Sequence, residues 1–183
     1  MTSKHDYKNL SNFVDAKKGA NEIFSNCQIL PSGLMLASDG RMAAMITTDI
    51  HPVEVATTVV DGTAFLKAMV ADPDARVVAD KPDTLSVGEA VFATVPTPRA
   101  RCYNLMINEI VAANYPGSLY KFGFFASHGA VLGRMKTDKG KPAIVQLAFR
   151  GRALAFTVSG SSCGGIAMAN TLPIEESDQG VLL

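Results

Sequence analysis

Apolar positions along this chain fall into short runs of two periods, and the period changes from helical to alternating three times. Residues 9–19 set Leu10, Phe13, Val14 and Lys17 at helical spacing with Gly19 as a stop, which predicts a first short helix. Extended runs over residues 23–30, 34–38 and 42–48 follow, separated by Pro31-Ser32-Gly33 and Asp39-Gly40, so a three-strand meander is expected. Residues 53–60 are dense in β-branched side chains, which are stiff in helices, and predict a fourth strand. Asp61 then stands where an N-cap belongs. Phe65, Leu66, Met69 and Val70 share one face of a second helix and Lys67 points away from it. Asp72-Pro73-Asp74 stops that helix, and brief strands are expected over 76–79, 84–87 and 90–95, the last two joined through Gly88-Glu89.

The segment bracketed by Pro96, Pro98 and Pro116 breaks this rhythm and reads as a linker over residues 99–118. A strand over 120–125 comes next, then Ser127 as the cap of a third helix carrying Val131, Leu132 and Met135, then a charged turn over 137–141. Alternation at Val145, Leu147 and Phe149, a turn at Arg150-Gly151, alternation at Leu154, Phe156 and Val158, and finally Ile166 and Met168 give a third meander. The acidic tail over 173–183 is expected to be loose. The chain thus reads as a helix followed by three strands, repeated three times, with a leading strand before the second and third helices, and internal repetition is the signal to weigh first.

Composition sharpens the picture in three ways. With 183 residues, 48% hydrophobic and 19% charged, the chain is a folded globule of one to two domains. Lys plus Arg and Asp plus Glu are both 17, so no whole-chain field draws nucleic acid or anionic membrane, and any nucleic-acid contact has to come from charges segregated onto one face. Cys27, Cys102 and Cys163 are odd in number and far apart, which supports neither a disulfide framework nor a CxxC-type zinc site, and Cys27 is expected as a thiol packed in a strand. No apolar run approaches the roughly 20 residues that span a bilayer, and MTSKHDYKNLSN is polar, so a cytoplasmic protein with no membrane partner is expected.

The run IFSNCQILPSGLMLASDGRMAAMITTD resembles the strand, turn, strand and closing Asp found early in a domain of the bacterial DNA polymerase III β sliding clamp family. DGTAFLKAMVADPDARVVADKPDTLSVGEAVFATVP is similar to that domain's second helix and closing strands, so the resemblance covers residues 9–98. FGFFASHGAVLGRM and AIVQLAFRGRALAFTV look like one further half-domain. The resemblance implies an α+β, sliding-clamp-like fold of repeated βαβββ units, with antiparallel sheets and short helices on one face. It divides the chain into a clamp-like domain over 1–98 whose first unit lacks its leading strand, the linker over 99–118, a third unit over 119–172 and the tail. The chain is much shorter than a bacterial clamp, as a phage or plasmid version could be, and ESDQGVLL differs from the family's usual ending.

The same resemblance implies a DNA processivity factor with no cofactor and no chemistry of its own, closing as a ring around duplex DNA and serving a polymerase or other replication protein. Rings of this family hold twelve βαβββ units, so three per chain implies a homo-oligomer of four chains. The cations expected to face the duplex are Lys17 and Lys18 on the first helix, Lys67 on the second, and Arg134, Lys136, Lys139 and Lys141 on and after the third. Other readings remain open. A clamp-fold interaction module need never close on DNA, and QGVLL is similar to the short Gln-x-x-Leu-Leu/Phe peptides by which partners dock onto a clamp. His128 and Cys163 could form a base and nucleophile pair, and GSSCGG could cradle a phosphate, although it lacks the Lys and helix of a P-loop. Asp39, Asp49, Asp61, Asp72, Asp74 and Asp80 all sit beside turns or element boundaries, so they imply caps and not a metal centre.

Overall fold

The computed structural model describes residues 2–14, 26–39, 42–81, 83–96, 122–123, 126–150, 153–168 and 170–171. Helix α1 spans Lys4–Ser11. It is fixed by a capping box, in which Asp6 N–H donates to Ser3 Oγ at 3.2 Å and Ser3 N–H donates to Asp6 Oδ2 at 3.0 Å. The helix expected over 9–19 therefore starts earlier and stops at Ser11. Two polar residues of its packed face, Asp6 and Asn9, are buried alongside Tyr7 and Leu10, so the true helical stripe is only half apolar. Phe13 and Val14 are core residues, as the spacing indicated, but they lie beyond the helix.

Strands β1 (Cys27–Ile29), β2 (Leu34–Ser38) and β3 (Met42–Thr47) form the expected antiparallel meander. Gly33, at φ 81, makes the first turn in a conformation that glycine adopts freely. Strand β4 (Thr57–Val59) is shorter than the expected 53–60, and Thr57 Oγ1 donates to Val55 O at 2.9 Å, a local bond that competes with a sheet ladder. Asp61 caps α2 (Gly62–Ala71) by accepting from Ala64 N–H at 2.8 Å. β5 (Val77–Lys81), β6 (Thr84–Val87) and β7 (Ala90–Pro96) complete the second unit. In the third unit the expected strand over 120–125 is described only as β8 (Phe122–Gly123), and α3 (Ala126–Leu132) begins one residue before Ser127, the expected cap. β9 (Val145–Arg150), β10 (Ala153–Val158) and β11 (Gly164–Met168) follow, and β12 (Asn170–Thr171) pairs with β8.

The strands join into one ten-stranded sheet in the order β5-β6-β7-β4-β1-β2-β3-β11-β10-β9, and every neighbouring pair is antiparallel. One face carries the main core, where Tyr7 and Leu10 of α1, Phe65, Leu66 and Met69 of α2, and Leu132 of α3 meet the alternate positions Cys27, Ile29, Met35, Ala37, Leu154 and Phe156. Phe13 stacks on Phe156 at 5.5 Å between ring centroids, and Phe65 meets Phe92 edge to face at the same distance. All three helices thus pack on the same side. The intervening positions Leu36, Ala43 and Ile166 form a small second cluster on the opposite face. Among the described residues no helix is long and apolar enough to cross a membrane.

The third unit meets the first where β11 pairs with β3, Gly164 to Ala167 opposite Met45 to Met42. Gly165 makes this seam possible, because a Cβ there would collide with Ala43 O and lie 2.8 Å from Ala44 Cα. Gly165→Ala is expected to cost about 3 kcal/mol by overpacking against backbone that cannot yield. Gly88→Ala, at φ 57 with nothing within 4 Å, should cost roughly 1 kcal/mol of backbone strain. Denaturant midpoints for the two variants check the order, and equal midpoints would show that the seam is not closed as described.

Candidate nucleic-acid interface

Helix α1 is stapled to the third unit by buried polar groups more than a hundred residues away in sequence. Asn9 Nδ2 donates to Lys136 O at 2.7 Å and to Ser161 Oγ at 3.2 Å, and Lys136 N–H donates to Asn9 Oδ1 at 2.9 Å. Asp6 Oδ1 accepts from Ser161 Oγ and from Ser162 N–H, the latter at 3.0 Å, while Asp6 Oδ2 accepts from Ser3 Oγ. Asn9 is 0% exposed and Asp6 4%, so each of these groups left water and had to find its partners inside the protein.

This staple gathers cations from separate parts of the chain. Residues 137–141 form a turn closed by Gly140 N–H on Thr137 O at 2.8 Å and Thr137 N–H on Lys141 O at 2.9 Å. Gly140, at φ 75, lies against the His5 ring, where a Cβ would come within 2.6 Å of Nε2. Lys139 and Lys141 therefore flank the point at which the turn touches α1, next to Lys4, and Lys136 is held beside Asn9, next to Lys8. Lys4, Lys8, Arg134, Lys139 and Lys141 are exposed, and Lys136 is half-buried. α2 packs against α1 and presents Lys67 to solvent from the same layer. Seven of the chain's 17 Lys and Arg thus belong to the helix layer and the turn beside it. The exposed carboxylates near them include Asp138 in the turn, Asp61 and Asp72 at the ends of α2, and Asp49 and Asp74, whose charges reach Tyr7 of α1.

Of the cations expected from the sequence, Lys67, Arg134, Lys136, Lys139 and Lys141 fall in this layer, and Lys17 and Lys18 lie outside the described residues. Lys4 and Lys8 escaped the sequence reading because α1 was expected several residues later. The signal that could have found them is the Ser3–Asp6 capping pair, which fixes the helix start.

The other candidate sites resolve into structure. Cys163 is 2% exposed, and burial, reinforced by the charge of Asp6, pushes its thiol from 9.0 up to about 12, far from the thiolate a nucleophile needs. The GSSCGG run makes the turn between β10 and β11 and the first two residues of β11, and the group its Ser162 N–H and Ser161 hydroxyl cradle is the carboxylate of Asp6. His128 is buried at 2% exposure. Among the described residues no three His, Cys, Asp or Glu side chains are placed to hold a metal ion. The tail with QGVLL lies outside the described residues.

Two outcomes follow for stability. Asn9→Ala strips both backbone groups of Lys136 of their partner and should cost about 2 kcal/mol, whereas Lys8→Ala should stay within about 0.5 kcal/mol; thermal melts compare the two. Cys27 and Cys163 are each pushed up to about 12 by burial, so both are neutral in the fold and ionise more readily once unfolded. Their contribution is fully present below pH 9 and is lost as pH rises from there toward 12, so denaturant midpoints should fall across that window. A flat profile there would contradict the buried thiols.

No family model matches the sequence, and no curated protein matches it. Solved structures do match. The chain is similar to a putative DNA polymerase III β subunit from Eubacterium rectale, at 11% identity and a TM-score of 0.56, over 99% of this chain and 67% of that one. It is similar to the DNA polymerase III β chain from Streptococcus pneumoniae, at 9% identity and a TM-score of 0.59, over 96% of this chain and 64% of that one. It is also similar to a Helicobacter pylori β clamp bound to a DNA ligase peptide, at 13% identity and a TM-score of 0.53, over 100% of this chain and 69% of that one. The chain spans about two thirds of the length of these structures. Its fold is that of the DNA polymerase III β sliding clamp, α+β as the sequence implied.

Proposed function

We propose that this chain is a sliding clamp-like processivity factor, which surrounds duplex DNA as an oligomeric ring and tethers a polymerase or another replication protein. The observation that carries this reading is the gathering of seven cations into the helix layer of a clamp fold whose sheet covers only the other side of that layer. Six of the seven are lysines. An ammonium group is a strongly hydrated point charge without the planar fork that locks arginine onto a phosphate, so it attracts the backbone without fixing a register. Attractions of that kind are screened by salt and permit sliding. The zero net charge of the chain accords with this, since a sliding ring holds DNA by topology and strong binding would hinder it.

Retention on nicked circular against linear DNA tests the reading. Protein loaded on the circle should stay through gel filtration, and linearising the circle should release it. Replacing Lys8, Lys139 and Lys141 together by Glu should lower retention and reduce the slope of log affinity against log salt by about 0.9 for each phosphate no longer neutralised. Equal retention on circles and linear molecules would instead make the chain a clamp-fold interaction module that never closes on DNA.

A further inference from the structure

Ammonium groups gathered at one place repel each other, so a fold that brings Lys139 and Lys141 beside Lys4 and Lys8 has to hold them there. The turn that carries Lys139 and Lys141 has two limbs, and different parts of the molecule hold them. At its base Lys136 and Pro142 form an isolated bridge, and on the first limb Asp138 N–H donates to Gly160 O in the loop after β10. The second limb, Lys139 to Lys141, is bonded back to the first. Gly140 N–H donates to Thr137 O at 2.8 Å and Lys141 N–H donates to Thr137 Oγ1 at 3.2 Å. This limb meets α1 at the His5 ring. Gly140, at φ 75, leaves no room there for a side chain, because a Cβ would lie 2.6 Å from Nε2 and 2.8 Å from Cε1.

We propose that His5 is a positioning residue, whose ring holds the second limb of the turn against α1 so that Lys139 and Lys141 meet duplex phosphates together with Lys4 and Lys8. This role rests on the reading of the helix layer as the surface that faces DNA. His5 follows Lys4 directly and precedes Lys8 by three residues, so the turn meets α1 between two lysines of one helix face. Among the described residues its Nδ1 is buried without a hydrogen-bond partner, and its contact with Gly140 is therefore one of shape. Asn9 holds Lys136 at the base of the turn, but the backbone that carries Lys139 and Lys141 reaches α1 at His5. Cations on a fixed limb reach phosphates without first ordering that backbone, whereas a free limb loses conformational freedom on binding.

Equilibrium binding to a short linear duplex across a salt series tests this role, since topology contributes nothing on such a substrate. Replacing Lys139 and Lys141 together by Gln should reduce the slope of log affinity against log salt by about 1.8, or about 0.9 for each phosphate no longer neutralised. His5→Ala removes neither lysine, yet it should reduce the slope by the same amount, and the lysine replacements made in the His5→Ala chain should then change it little further. His5→Phe keeps a planar ring against Gly140 and should keep the slope of the unaltered chain, which separates the shape of the ring from its charge. Gly140→Ala breaks the same contact from the turn side and should match His5→Ala, and it decides the matter if His5→Ala folds poorly by circular dichroism. A lowered melting temperature with an unaltered slope in both variants would make the contact merely structural and overturn the proposal, as would a slope for His5→Phe as low as that for His5→Ala. The two readings fail separately. A slope that falls with the lysine replacements but not with His5→Ala or Gly140→Ala removes the positioning role and keeps the DNA-facing layer, while a slope unmoved by the lysine replacements takes both lysines off the DNA.

Discussion

A carboxyl group taken out of water must keep donors around it, and in this protein the donors that Asp6 finds come from both ends of the fold. Ser3 at the start of α1 supplies its backbone N–H and its hydroxyl, and Ser161 and Ser162 between β10 and β11 supply a second hydroxyl and a second N–H. The interaction is intolerant of partial formation, because without the third unit Asp6 would keep only the donors of Ser3, and the amide of Asn9 would lose Lys136 and Ser161. Apolar packing between α1 and the sheet could be satisfied at many offsets along the strands. The hydrogen bonds of Asp6 and Asn9 are satisfied at one. They set where α1 lies against the third unit, and thereby where Lys136, Lys139 and Lys141 stand relative to Lys4 and Lys8.

What the sequence disclosed, and what it hid, follows from the same chemistry. The second unit was legible because its signals are local: Asp61 caps α2 from one residue outside it, and β6 is found at residues 84–87 as expected, its turn into β7 made by Gly88 at positive φ. α1 was misplaced because half of its packed face is polar, so a search for apolar spacing slides toward Leu10, Phe13 and Val14 and past the true start. The GSSCGG loop was read as a possible phosphate cradle, and the chemistry of that reading was sound, since its hydroxyl and N–H do hold an anionic group. The group is a side chain of the same molecule, a fact that only the long-range fold supplies. The pairing of β3 with β11 is hidden for a similar reason, because two alternating runs over a hundred residues apart say nothing of which edges meet.

Charge placement follows from layer geometry. A sheet covered by helices on one side leaves two surfaces with different chemistry. Residues on the outward side of a helix cannot reach the core, so long cationic side chains are tolerated there at no cost in packing. In α1, Tyr7 and Leu10 face the core while Lys4 and Lys8 face away, and in α2 Lys67 stands one residue from buried Leu66. The amphipathicity that folds α1 and α2 thus also turns Lys4, Lys8 and Lys67 to the outer side of the helix layer in a chain with no net charge.

The last strand of the first unit, β3, is covered by β11, the last strand of the second, β7, is covered by β4, and the strand that follows α3, β9, has no described neighbour on its outer side. A three-strand meander with one helix cannot bury its own apolar face, so each unit depends on a neighbour, and the strand interiors, which need only alternation, accept many neighbours equally well. Choice among them falls to residues at the seams that fit one arrangement. Gly165 admits β3 at a distance no other residue allows, and Asp6 and Asn9 recognise the loops that bring β11 there. This division explains how a fold can be shared with proteins of very low sequence identity: the alternation that builds each unit constrains residue class alone, and the few residues whose identity is fixed sit where units meet, free to change whenever the junction does.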